Sequence, residues 1–184
     1  SPSSTSCCNE RRRRLPPTRS GSRSFDSVGC LRSMSILAAG APQIGVAFNP
    51  YLPDRAAREK EKARLRLKLG SGRVSAVWLQ IGSDLALLQE GLAFLASLKA
   101  ERHPELRLYG SAFVPSKQLL ARMRFRPWNG VFLDEGYLSS VEAAERVTRA
   151  VAALYAAAGV EVLCETALDS AADCAHARRL LLPC

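Results

Sequence analysis

The chain has 184 residues, 47% of them hydrophobic and 23% charged, enough apolar material for one domain of roughly 100–200 residues and the wrong composition for a collagen-like rod or an isolated disulfide mini-protein. No uncharged apolar run reaches the roughly 18–20 residues needed to cross a bilayer, so no membrane partner is expected. The formal charge of +9 points first to nucleic acid or a membrane surface, and its placement decides how far that goes.

Residues 1–42 hold Arg11, Arg12, Arg13, Arg14, Arg19, Arg23 and Arg32 against Glu10 and Asp26 alone, so this stretch carries +5 and the following 142 residues only +4. Ten serines and four prolines there offer too little apolar surface to offset the entropy of ordering. A disordered basic leader is therefore expected over 1–42, with the folded part over 43–184. Its Arg-rich, Ser-rich, acid-poor composition is that of an organelle transit peptide, and equally that of a non-native start to a fragment. Cys7, Cys8 and Cys30 lie far from Cys164, Cys174 and Cys184, which argues against a disulfide framework and for a reduced cytoplasmic protein, or a mitochondrial or plastid one if the leader targets it. Cys174 and His176 lack the further ligands a zinc site needs, so no metal is expected.

From residue 43 the pattern is regular. Ile44–Phe48 reads as a buried strand, and Asp54 caps a helix to about Leu69 with Ala57, Leu65 and Leu69 as its apolar stripe. Residues 74–80 read as a second strand, continuous enough to be buried on both faces. Asp84 starts a helix with Leu85, Leu88, Leu92 and Leu95 on one face. Residues 106–114 are a third strand, a short helix follows Pro115 or Ser116, and Val131–Leu133 suggests a fourth strand. Ser139 or Ser140 caps a helix burying Ala144, Val147, Val151, Leu154 and Ala158; Val160–Cys164 is the next strand, with Cys164 as a small buried residue, and a last helix covers about 169–182. Such alternation is an α/β class of parallel βα repeats, either a doubly wound open sheet or a (β/α) barrel. An eight-stranded barrel needs about 250 residues, so on that reading the chain is a C-terminal half, a partial (β/α)8 TIM-type barrel.

Chemistry in parallel α/β folds collects at the carboxyl ends of strands, where this chain carries Asn49, Gln80, Ser116 or Lys117, and Glu165 or Thr166. The stretch with Lys68, Gly72, an apolar strand, Gln80 and Asp84 resembles the methylenetetrahydrofolate reductase family, and the flanking strands agree with it in order over roughly 43–182. The resemblance implies a flavin-dependent (β/α)8 barrel reducing methylenetetrahydrofolate to methyltetrahydrofolate, with hydride from NAD(P)H passing through FAD. It implies that Gln80 binds the folate-type substrate and that Glu61, Arg64 and Lys68 contact FAD, with Asn49 standing where the family has a flavin-stacking tyrosine. The barrel's first half, which supplies the family's general acid, has no counterpart here, so the resemblance leaves the catalytic residue unassigned.

Each residue also has a purely structural reading: Gln80 as an amide satisfying a loop, Glu61, Arg64 and Lys68 as a solvated helix face, Asp84 as a cap. Lys117, Arg122, Arg124 and Arg126, interleaved with Phe125 and Trp128, read first as a basic surface loop over a packed Trp128. They read next as a contact for an anionic small molecule, and last as a nucleic-acid surface. The third class of function is a non-catalytic half-barrel whose two open edges pair with another chain, a homo-oligomer included.

Overall fold

The computed structural model describes residues 44–182; the leader expected over 1–42 lies outside the described residues. Four strands alternate with helices: β1 (Ile44–Phe48), α1 (Arg55–Leu69), β2 (Val74–Leu79), α2 (Leu85–Glu101), β3 (Arg107–Ala112), α3 (Lys117–Phe125), α4 (Glu135–Ser139), α5 (Val141–Ala157), β4 (Glu161–Cys164) and α6 (Ala171–Leu181). Helix starts follow local chemistry. Asp54, Asp84, Ser116, Asp134, Ser140 and Ser170 each accept a backbone N–H of the first turn through the side chain, satisfying donors the helix leaves open.

The strands form one parallel sheet in the order β1-β2-β3-β4. Neighbours in sequence are neighbours in space, so among the described residues the sheet has no reversal of order of the kind that marks a doubly wound fold. The register aligns Phe48, Leu79, Gly110 and Val162 across the sheet. That face packs on the helices. Phe48, Val77, Leu79 and Leu108 meet Leu65 and Leu69 of α1, Leu88, Leu92, Leu95 and Leu98 of α2, and Val151 and Tyr155 of α5. Ala112 meets Ala177, Leu180 and Leu181 of α6. Each such leucine, fully buried, contributes roughly 1.5–3 kcal/mol.

The other face differs from expectation. Trp78, predicted to be buried with the rest of its strand, is 38% exposed and stacks on half-buried Tyr109 with ring centroids 4.6 Å apart; Gly45, Ala47 and Leu163 are exposed beside them. Among the described residues helices cover only one face of β2, and its apolar run reflects a stacked aromatic pair on the other.

Three further expectations change. Val131–Leu133 is not a strand: Phe132 makes one isolated parallel bridge to Gly82, because the chain crosses the ends of the strands instead of extending beside one. Helix α5 is turned from the predicted stripe, burying Ala144, Thr148, Val151, Ala152 and Tyr155 and leaving Ala158 exposed, since the Tyr155 ring fills the space over Gly110. Cys164 is half-buried at the end of short edge strand β4. No helix among the described residues is long and apolar enough to cross a membrane.

Candidate functional site

The carboxyl ends of β1 and β2 are crossed by the segment 126–134, and side chains from both strand ends hold it there. Asn49 turns the chain after β1, its Oδ1 accepting from Tyr51 N at 3.1 Å, the short-range turn that asparagine favours. Its Nδ2 donates to Gly130 O at 2.8 Å. Gly130 sits at φ +80°, a conformation that favours glycine, and a side chain there would approach the Gln80 and Asn49 amides. Gln80 Oε1 accepts from Ile81 N at 3.0 Å. The structure therefore brings Asn49 and Gln80 together beneath one loop, which the Asn49 amide binds and the Gln80 amide approaches at Gly130.

A second clamp lies one step further along. Ser83 N donates to Phe132 O at 3.0 Å, Ser83 Oγ donates to Asp134 Oδ2 at 2.6 Å, and Asp134 N donates back to Ser83 Oγ at 2.8 Å. Asp134 Oδ1 also accepts from Tyr137 N at 2.7 Å to start α4. Burial works to raise the Asp134 carboxyl, but the bonds from Ser83 and the backbone N–H groups outweigh it and hold the group below its ordinary value. A depressed carboxyl adds stability that is complete above the ordinary range near about pH 4 and is lost as pH falls through the folded value. Ser83→Ala is expected to lower stability at pH 7 by about 1–2 kcal/mol and to flatten the loss between pH 5 and pH 2, measured as urea midpoints; an unchanged acid slope would disprove the coupling.

Between these clamps and α2 opens a cleft of about 810 Å³. Its walls are apolar, from Tyr51, Leu87, Met123, Trp128, Phe132 and Leu138, and its charged lining groups are Asp84 and Asp134. Asp84 spends Oδ1 on the N–H groups of Ala86 and Leu87, which leaves Oδ2 to accept from a ligand. A volume of this size, apolar walls and a few polar groups are the usual make-up of a small-molecule site.

The other sequence-predicted residues lie elsewhere. Glu61, Arg64 and Lys68 sit on α1, which runs away from the carboxyl ends, so Lys68 lies in the turn nearest the start of β2. Arg64 pairs with Glu61 at 3.6 Å, and Lys68 is buried beside Leu65 and Leu69. They do not join Asn49 and Gln80, and as a set they do not fit a flavin held in the cleft. Ser116 caps α3, Glu165 accepts from Ser111 Oγ at 2.9 Å, and Thr166 Oγ1 accepts from Val114 N at 2.9 Å; all three are tied to the fold. His176 lies 3.0 Å from Glu145, and no group of three or more His, Cys, Asp or Glu among the described residues could hold a metal ion. Sequence reasoning missed Ser83 and Asp134 as site residues. Their one sequence signal is Asp134 preceding Glu135 and Tyr137, which marks a helix start and not a site.

Compared with known proteins, the chain matches no family and no curated sequence.

Proposed function

We propose that the chain binds a small ring-bearing molecule of the folate (pterin) type in the cleft at the carboxyl ends of β1 and β2. The observation that carries this is the cleft's make-up: apolar walls wide enough for a flat ring, with Asp84 offering a free carboxylate oxygen at the rim. The adjacent amino and ring N–H groups of a pterin are donors, and a carboxylate is acceptor-only. The acidic rim suits such a ring better than it suits a phosphate. The strand order, with helices on one face, fits an arc of a (β/α)8 barrel whose active face would be this one. The resemblance around Lys68, Gly72, Gln80 and Asp84 extends the reading to methylenetetrahydrofolate reductase chemistry with FAD and NAD(P)H, but no step through the flavin follows from residues that do not fit it.

The test is a pterin titration followed by quenching of ligand fluorescence. Micromolar binding is expected, weakened about tenfold by Asp84→Asn, a change that keeps a good helix cap. Binding unaffected by Asp84→Asn, or none at millimolar ligand, sinks the proposal. FAD uptake decides the reductase extension: purified protein that is colourless and takes up no FAD leaves a binding domain without redox activity, the non-catalytic alternative.

A further inference from the structure

The end of α3 and the residues after it present an aromatic and basic tip at the edge of the cleft, of which Trp128 also lines the cleft while Phe125, Arg122 and Arg126 do not. Phe125 is 93% exposed and Trp128 42%, with Arg122, Arg126 and Pro127 exposed around them. Trp128 is held in place by an edge contact to Phe113, ring centroids 5.3 Å apart. Arg124 is occupied, donating to the carbonyls of Leu138 and Ser139. Among the described residues Arg122 and Arg126 make no ion pair. Phe125 and Trp128 thus stand beside two guanidinium groups that no carboxylate among the described residues neutralises.

We propose that this tip binds single-stranded nucleic acid, with bases stacking on Phe125 and Trp128 and phosphates meeting Arg122 and Arg126. Charge complementarity selects an anionic partner, and exposed rings select one with flat faces; single strands offer both in every sequence. A lipid surface fits less well. Leu120 and Met123, the apolar side of α3, are buried inside the protein, so the helix has no apolar face to lay on a membrane. Phe125 and the partly exposed Trp128 would have to serve without such a face.

The full chain is titrated against a fluorescein-labelled oligouridine and followed by anisotropy. Phe125→Ala is expected to weaken binding at least fivefold with an unchanged thermal midpoint, because the ring touches almost nothing in the folded protein. Replacing Arg122 and Arg126 by Gln is expected to reduce the slope of log affinity against log salt by roughly 0.7 for each phosphate that is no longer neutralised. Absence of binding overturns the proposal. So does binding that Phe125→Ala leaves intact, which would assign it to other basic segments such as Arg11–Arg14. Phe125-dependent sedimentation with anionic phosphatidylserine vesicles and no oligonucleotide binding overturns it in favour of a lipid partner.

Discussion

Gly110→Ala is expected to destabilise the protein by about 2–3 kcal/mol, more than a methyl group usually does in a strand. Gly110 lies in the middle of β3 on the helix-covered face, and a Cβ there would overlap Cζ, Cε2 and Cδ2 of Tyr155. Tyr155 is fully buried and has nowhere to retreat: α5 sits between α2, α6 and the sheet, and burial also pushes its phenol up to about 12. Packing at crystal-like density turns such an overlap into strain in both elements. The measurement is the urea midpoint of Gly110→Ala, Tyr155→Leu and the double variant. A smaller side chain at 155 vacates the space the new methyl needs, so the double variant is expected to cost clearly less than the sum of the singles. Strict additivity would mean that the glycine serves the strand and not the ring.

The same contact explains what could and could not be read from the chain. Asp54, Asp84 and Ser140 announced their helices because capping is a matter of three or four consecutive residues. The leucines of α2 announced their face because spacing alone sets it. The turn of α5 was not legible. Its apolar positions fit two stripes almost equally, and the choice fell to Tyr155 entering a hollow made by a glycine some 45 residues earlier. Residues 131–133 failed for a similar reason. Three apolar residues look like a short strand, but they are apolar here because Val131 packs with Ile81, Phe113 and Met123 above the strand ends. For the site, strand-end position correctly grouped Asn49 with Gln80. It could not reveal that the Asn49 amide would be spent on Tyr51 N and Gly130 O and the Gln80 oxygen on Ile81 N, nor that the acidic rim would come from Asp84 and Asp134. Helical spacing put Glu61, Arg64 and Lys68 on one helix without saying toward which end of the sheet that helix runs.

Gly82→Ala is expected to damage the cleft as well as the fold. A Cβ at 82 would overlap Cγ, Cδ1 and Cδ2 of Tyr51, a ring that is 2% exposed and forms part of the cleft wall. Gly82 also bridges to Phe132, and the next residue, Ser83, clamps Asp134. Displacing Tyr51 therefore pushes on the wall, the crossing segment and the core together. The core is involved because Tyr51 belongs to the same buried cluster as Phe48, Leu79, Leu88 and Tyr155, and burial, the leading cause, drives the Tyr51 phenol well above its usual range. A loss of about 1–3 kcal/mol is expected from overpacking, with pterin affinity falling more than tenfold below the unfolding temperature. Gly110→Ala, whose overlap lies beneath the sheet's helices and away from the cleft lining, should leave the affinity of the folded protein within about twofold, a shift of under 0.5 kcal/mol. Paired titrations of the two variants at a temperature where both are folded separate the effects. If Gly82→Ala keeps its affinity, Tyr51 is a core residue that borders the cleft without shaping it, and the ligand must rest on the α2 and 126–134 sides alone.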